Sequence, residues 1–149
     1  MFISINNKLN IVFCGMMGSG KSSIGKIIAK KIDFDFYDID KLIEEKAKKT
    51  ITQIFEDNGE GFFRKLEKET TLEILKKKKS VISLGGGAIM NSIIRNSIKN
   101  NSYNIYIEVD LNILQNRLIN GKNRPLLKES NIYKTLKKLL IKREKFYKE

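Results

Sequence analysis

Eight consecutive residues constrain this chain more than any other feature. Gly15-Met16-Met17-Gly18-Ser19-Gly20-Lys21-Ser22 fits the pattern G-x-x-x-x-G-K-[ST]. Residues 9–14 ahead of it form an apolar run that reads as a buried strand. Residues 21–32 behind it read as a helix, with Ile24, Ile27, Ile28 and Ile32 on one face. A strand, a glycine-rich turn and a helix in that order make a phosphate-binding loop. Glycines let the backbone curl until its N–H groups point at phosphate oxygens. The helix N-terminus adds partial positive charge. Lys21 is spaced to reach the β- and γ-phosphates of a nucleotide, and the Ser22 hydroxyl to coordinate Mg²⁺.

The rest of the sequence continues the alternation. Further strands are expected at 34–37, 81–84 and 104–109. Helices are expected at about 41–48, 52–79 (broken near Asn58-Gly59), 91–99, 111–118 and 132–147. The last carries Ile132, Leu136, Leu139 and Leu140 on its inward stripe. Residues 119–130 are polar, hold the only proline and read as a loop. Strands alternating with helices imply an α/β domain with a parallel sheet. A length of 149 residues fits one such domain, 1–149, around one core.

Composition narrows the chemistry. There is no histidine, which excludes His-based general-base catalysis and the usual zinc enzyme sites. A single cysteine, Cys14, excludes an intrachain disulfide, and its place at the end of an apolar run predicts a buried structural thiol. No apolar run is long enough to cross a bilayer. The start, Met1-Phe2-Ile3-Ser4-Ile5, lacks the parts of a secretory signal, so a cytoplasmic protein with no membrane partner is expected. The net charge of +12 is almost entirely lysine, spread over solvent faces rather than gathered in an arginine stripe. No nucleic-acid partner is expected from it. Arginine is the scarcer residue: Arg64, Arg95, Arg117, Arg124 and Arg143 are the only five. In so lysine-rich a chain, a retained arginine suggests a need for its rigid bidentate fork.

Asp38-Ile39-Asp40 follows the second strand, at the carboxyl end where α/β sheets hold ligands. In extended backbone residues two apart point the same way, so both carboxylates would face the phosphate loop. One would serve Mg²⁺ and the other hold an acceptor hydroxyl. Asp40 equally suits the N-cap of a helix starting near Lys41.

Beyond the phosphate loop, an ordered set of motifs resembles the shikimate kinase family. Asp38-Ile39-Asp40 looks like its D-x-D. The segment Gly59-Glu60-Gly61-Phe62-Phe63-Arg64-Lys65-Leu66-Glu67 is similar to its G-E-x-x-F-R-x-x-E. Gly85-Gly86-Gly87 matches its triple glycine, and Arg124-Pro125-Leu126-Leu127 its R-P-L-L lid segment. Arg143 with Tyr147 is similar to its late R-x-P-x-Y, with Lys145 where proline is expected. The resemblance implies a three-layer, nucleoside-monophosphate-kinase-like P-loop fold with a parallel sheet of order 2-3-1-4-5 and a lid at about 117–130. It implies transfer of the γ-phosphoryl group of ATP to the 3-hydroxyl of shikimate, with Mg²⁺ as cofactor.

Carried over residue by residue, the resemblance assigns Gly18, Ser19, Gly20, Lys21, Ser22, Ser23, Arg117 and Arg124 to the nucleotide, with Arg117 against adenine. Ser22 and Asp38 would serve the metal. Asp40, Arg64, Gly86, Gly87 and Arg143 would hold shikimate, and Lys21, Asp40 and Arg124 would carry catalysis. Elementary chemistry agrees in part. Arg143 shares the inward face of Leu139 and Leu140, and a buried arginine wants an anion, which a substrate carboxylate or a nearby Glu would supply. Arg64 and Glu67 stand at i and i+3, so Glu67 would orient the guanidinium, or the two would form an ordinary helix ion pair.

The family continues with a further strand and helix where this chain ends at Glu149. Only four strand candidates are found, so the fifth strand is expected to be missing and the order to be 2-3-1-4. Strand 4 would then be an edge, covered by the last helix or by a neighbouring subunit. A monomer is expected, with a dimer left open. Two other readings stay open: a different small-molecule P-loop kinase, and a degenerate ATP-binding module without catalysis.

Overall fold

The structure, a computed structural model, describes residues 8–119, 127 and 131–149. The N-terminal pentapeptide, Arg124 and most of the expected lid lie outside the described residues. Four strands, β1 (Asn10–Cys14), β2 (Asp35–Asp38), β3 (Ser80–Ser83) and β4 (Ser102–Tyr106), form one sheet in the order β2-β3-β1-β4. Every pairing is parallel, and Val12 stands opposite Ile82 on one side and Asn104 on the other. Six helices join them: α1 (Lys21–Ile32), α2 (Ile39–Ala47), α3 (Ile51–Leu75), α4 (Ser92–Asn101), α5 (Leu111–Leu118) and α6 (Ile132–Tyr147). A short 3-10 turn, Ala88–Met90, follows the glycine run.

Strand alternation divides the core into two layers. Phe13 and Val81 pack with Ala29 of α1 on one face. Val12, Cys14 and Ile82 turn to the other, where they meet Ile54, Ile74, Ile94, Leu114, Leu136 and Tyr147. Parallel strands buried on both faces account for the unbroken apolar runs in the sequence. No helix among the described residues is long and apolar enough to cross a membrane.

Several elements differ from their sequence-based bounds. The helix after the D-x-D begins at Ile39, not Lys41, because Asp38 is its N-cap. α3 opens on a reciprocal cap between Thr50 and Gln53 and is kinked at Gly59 (φ 81°), where a break was expected. It stops at Leu75 rather than 79. The lysine run that follows has no apolar stripe to bury, and the Asn10 amide accepts its exit by donating to the carbonyls of Leu75 and Lys77. β4 starts two residues earlier than expected and ends at Tyr106.

The apolar face expected on α1 is not the buried one. Lys21, Gly25 and Ala29 are buried, whereas Ile24, Ile27 and Ile32 are 39%, 58% and 41% exposed. A Cβ on Gly25 would lie 2.7 Å from the Phe36 ring, so the helix meets the sheet through its smallest residues. Near β4 the same side of the sheet is open. Tyr103 and Ile105, opposite Ile11 and Phe13, are 53% and 40% exposed. The last helix does not cover them: α6 packs on the other face, against Val12 and Cys14.

Candidate active site

The carboxyl ends of β1, β2 and β3 open into a cavity of about 930 Å³, walled also by α1, α2, α3 and α6. At its floor lies the phosphate loop. Gly15, Gly18 and Gly20 hold φ of 141°, 77° and 96°, a region closed to most side chains. Gly20 is the N-cap of α1, so the helix dipole points into the loop. Lys21 is 92% buried (8% exposed), and its ammonium donates to the carbonyls of Gly15 (3.0 Å) and Met16 (2.8 Å). The lysine is thereby held over the concavity that its loop encloses. Arg117, from α5, donates to the Gly18 carbonyl at 2.9 Å and so borders the same loop.

Next to Lys21 in the first turn of α1, the Ser22 hydroxyl donates to Asp38 Oδ2 at 2.5 Å and lies 3.2 Å from Ser83 Oγ. The other Asp38 oxygen accepts the Lys41 N–H, so the capping role expected of Asp40 belongs to Asp38. No cluster of three acidic, cysteine or histidine ligands exists among the described residues. Mg²⁺ in nucleotide sites does not need one, since it keeps several waters and binds through one or two protein oxygens plus phosphates. A hydroxyl and a carboxylate already in contact beside the phosphate loop are the hard oxygen donors that fit it.

The opposite end of the cavity is built from distant parts of the chain. Asp40, in the first turn of α2, lines it together with Arg64 and Glu67 of α3, Gly85 to Gly87, and Arg143 of α6. A Cβ on Gly85 would lie 2.6 Å from Glu67 Oε1 and 2.8 Å from Asp40 Oδ1, so two carboxylates converge on that glycine. On Gly87 it would lie 2.5 Å from the Arg64 guanidinium, and on Gly86 it would lie 3.3 Å from Arg143 Nη1. The triple glycine is therefore the floor on which both arginines rest.

Arg64 donates to Glu67 at 2.7 Å and pairs with Glu60 at 3.1 Å. Glu67 is only 2% exposed. Burial pushes its carboxyl above the ordinary range, against the pull of the Arg64 and Arg143 charges. Arg143 is 4% exposed, and its Nη1 has no hydrogen-bond partner among the described residues. Glu67 Oε1 is in the same state. Charged groups buried with unused hydrogen-bonding capacity are costly unless something completes them.

All the expected site residues within the described part border this one cavity. Ser23 also lines it, on the exposed side of α1. Arg124 lies outside the described residues. Sequence reasoning missed the apolar wall of Ile51, Phe55 and Phe63 and the hydroxyl of Ser83. A serine at the carboxyl end of an otherwise apolar strand was the available signal for Ser83. Phe55 and Phe63, with ring centroids 4.9 Å apart, meet across the Gly59 kink; Phe63 stands in the quoted motif but nothing there marked it as a wall, and Phe55 carried no local mark.

Comparison with known proteins matches residues 17–149 to the shikimate kinase family model. A shikimate kinase of Bartonella quintana is 43% identical over 97% of this chain and 69% of its own length. One from Sulfurihydrogenibium is 43% identical over 93% of the chain and 82% of its own. Among solved structures, a shikimate kinase of Acinetobacter baumannii in complex with shikimate superposes with a TM-score of 0.92 at 34% identity, covering 97% of this chain and 81% of that one. A gluconokinase of Sinorhizobium meliloti, at 17% identity and a TM-score of 0.55, shares the fold alone.

Proposed function

This chain belongs to the shikimate kinase family, and on that premise we propose how its cavity transfers the γ-phosphoryl group of ATP to the 3-hydroxyl of shikimate. The observation that carries the reading is the company Arg143 keeps. A buried, incompletely bonded guanidinium faces the same cavity as the phosphate loop, with Arg64 on the neighbouring glycine. A small acid with several ring hydroxyls completes both ends of that arrangement: its carboxylate takes the arginine donors, and its hydroxyls take the carboxylates.

In this reading Arg64, Arg143 and the Gly86–Gly87 backbone hold the acid. Asp40 accepts the hydrogen bond of the reacting hydroxyl, fixes its lone pair toward the phosphate loop and takes its proton as that oxygen bonds to the γ-phosphorus and the bond from phosphorus to the bridging oxygen breaks, leaving ADP. Lys21 and the loop N–H groups hold the phosphates, with Gly18, Ser19, Gly20, Ser22 and Ser23 around them and Arg117 at the nucleotide's edge. Ser22 and Asp38 would hold Mg²⁺, which would neutralise charge on the phosphate oxygens. Arg124 of the R-P-L-L segment adds positive charge to the transferring group. Every residue named comes from one chain, so a monomer suffices. The ATP requirement suits the cytoplasm.

The test is product identity. Incubation with Mg-ATP and shikimate should yield shikimate 3-phosphate, seen as a new phosphomonoester coupled to the C3 proton in ³¹P spectra. Equal phosphorylation of gluconate or a nucleoside monophosphate, with none of shikimate, would refute the acceptor assignment.

A further inference from the structure

The last residue of α6 enters the cavity's architecture without lining the cavity. Tyr147 is 2% exposed, stacks on Tyr106 (centroids 5.0 Å apart, 19° between planes), and donates its hydroxyl to the Gly86 carbonyl at 2.5 Å. Its own carbonyl accepts from Cys14 Sγ at 3.8 Å, and its hydroxyl touches Met16 Sδ at 3.7 Å. Tyr147 thus joins the phosphate loop, the glycine run and α6 at one point. It lies four residues after Arg143, on the same helix face.

The direction of the Gly86 carbonyl has a consequence. No cis peptide occurs among the described residues. In a trans peptide the C=O of one residue and the N–H of the next point opposite ways. A Gly86 carbonyl held by Tyr147 therefore turns the Gly87 N–H away from that tyrosine, at a residue that borders the cavity and on which the Arg64 guanidinium rests. With two glycines flanking it, this peptide could rotate freely without a clamp.

We infer that Tyr147 is a positioning residue: its hydroxyl fixes the Gly86–Gly87 peptide so that the Gly87 N–H joins Arg64 and Arg143 as a donor to the acceptor's carboxylate. The phenol stays a donor at any physiological pH, because burial pushes its pKa up to about 12. The inference rests on the acceptor assignment above and adds a residue that touches neither substrate.

Tyr147→Phe keeps the ring and its stacking and deletes the hydroxyl, with its bond to the Gly86 carbonyl and its contact with Met16 Sδ. Its KM for shikimate should rise roughly 5- to 30-fold, the equivalent of about one hydrogen bond, with the KM for ATP within twofold of wild type. A merely structural tyrosine would lower the melting temperature and leave both KM values alone. Wild-type turnover in the same assay establishes the parent reading, so an unchanged shikimate KM in Tyr147→Phe overturns this inference and not that one. A second measurement needs no variant. In the wild-type chain the Gly87 amide resonance should shift on addition of shikimate and saturate with it, and a Gly87 amide indifferent to shikimate overturns the inference.

Discussion

The two ends of the cavity are made differently. The phosphate end is one contiguous octapeptide whose side chains are already partnered: Lys21 bonds to its own loop, and Ser22 to the neighbouring Asp38. The acceptor end gathers Asp40, Arg64, Glu67, the triple glycine and Arg143 from four separate stretches, and leaves Arg143 Nη1 and Glu67 Oε1 buried without hydrogen-bond partners among the described residues. A self-satisfied loop suits phosphate, a ligand that every kinase of this fold shares. Unused capacity held in a fixed arrangement is what distinguishes one acceptor from another, because a wrong acceptor leaves those groups unpaired.

The contrast predicts that changes at the phosphate end, and at Asp40 where the acceptor's reacting hydroxyl meets it, damage turnover, while changes at the arginines of the acceptor end damage acceptor binding. The largest effect is expected for Asp40→Asn, which should lower kcat by about 10²- to 10⁴-fold with little change in the KM for ATP. Near-normal turnover would remove Asp40 from the chemistry. Lys21→Ala should cost about 10²- to 10³-fold in kcat by deleting one pre-positioned charge donor, with the fold intact by circular dichroism. Unchanged activity would sink the phosphate-loop assignment.

Arg143→Met should raise the KM for shikimate by about 30-fold or more and leave that for ATP within a few-fold. The same variant should melt at or above the wild-type temperature, since it replaces a buried, incompletely bonded charge with an apolar chain of similar length. A rise confined to the ATP KM, or a marked loss of stability, would show that Arg143 is structural.

The smallest effect concerns Glu67. Its folded-state pKa is raised by burial, so its contribution to stability is full below the unfolded carboxyl pKa and falls as pH rises through the folded value. Glu67→Gln cannot ionise and escapes that loss. Its melting temperature relative to wild type should therefore climb between about pH 4 and neutrality. A difference that is flat across this range would show that burial does not govern Glu67.

The same division explains what the sequence disclosed. The octapeptide rests on local pattern and could be read directly, whereas the strand order β2-β3-β1-β4 followed from the family resemblance and not from local pattern. Gly59 was legible as a break because a glycine inside a long helical pattern weakens it. Arg143 showed as an arginine on an apolar stripe, an inconsistency that pointed to an anion. The α1 face was misread because isoleucine spacing outweighed two small residues, and only the close approach of Phe36 shows why Gly25 and Ala29 face the sheet. The cap at Asp38 was misassigned because strand and helix there abut without a spacer. Tyr147 was visible as part of a motif, but its bond to Gly86, 61 residues away, has no signature in sequence.

The most direct test of the central claim is ADP release by the purified chain with Mg-ATP, measured with and without shikimate. The account predicts release that saturates with shikimate and is negligible without it. Intact ATP binding with no response to shikimate would contradict it.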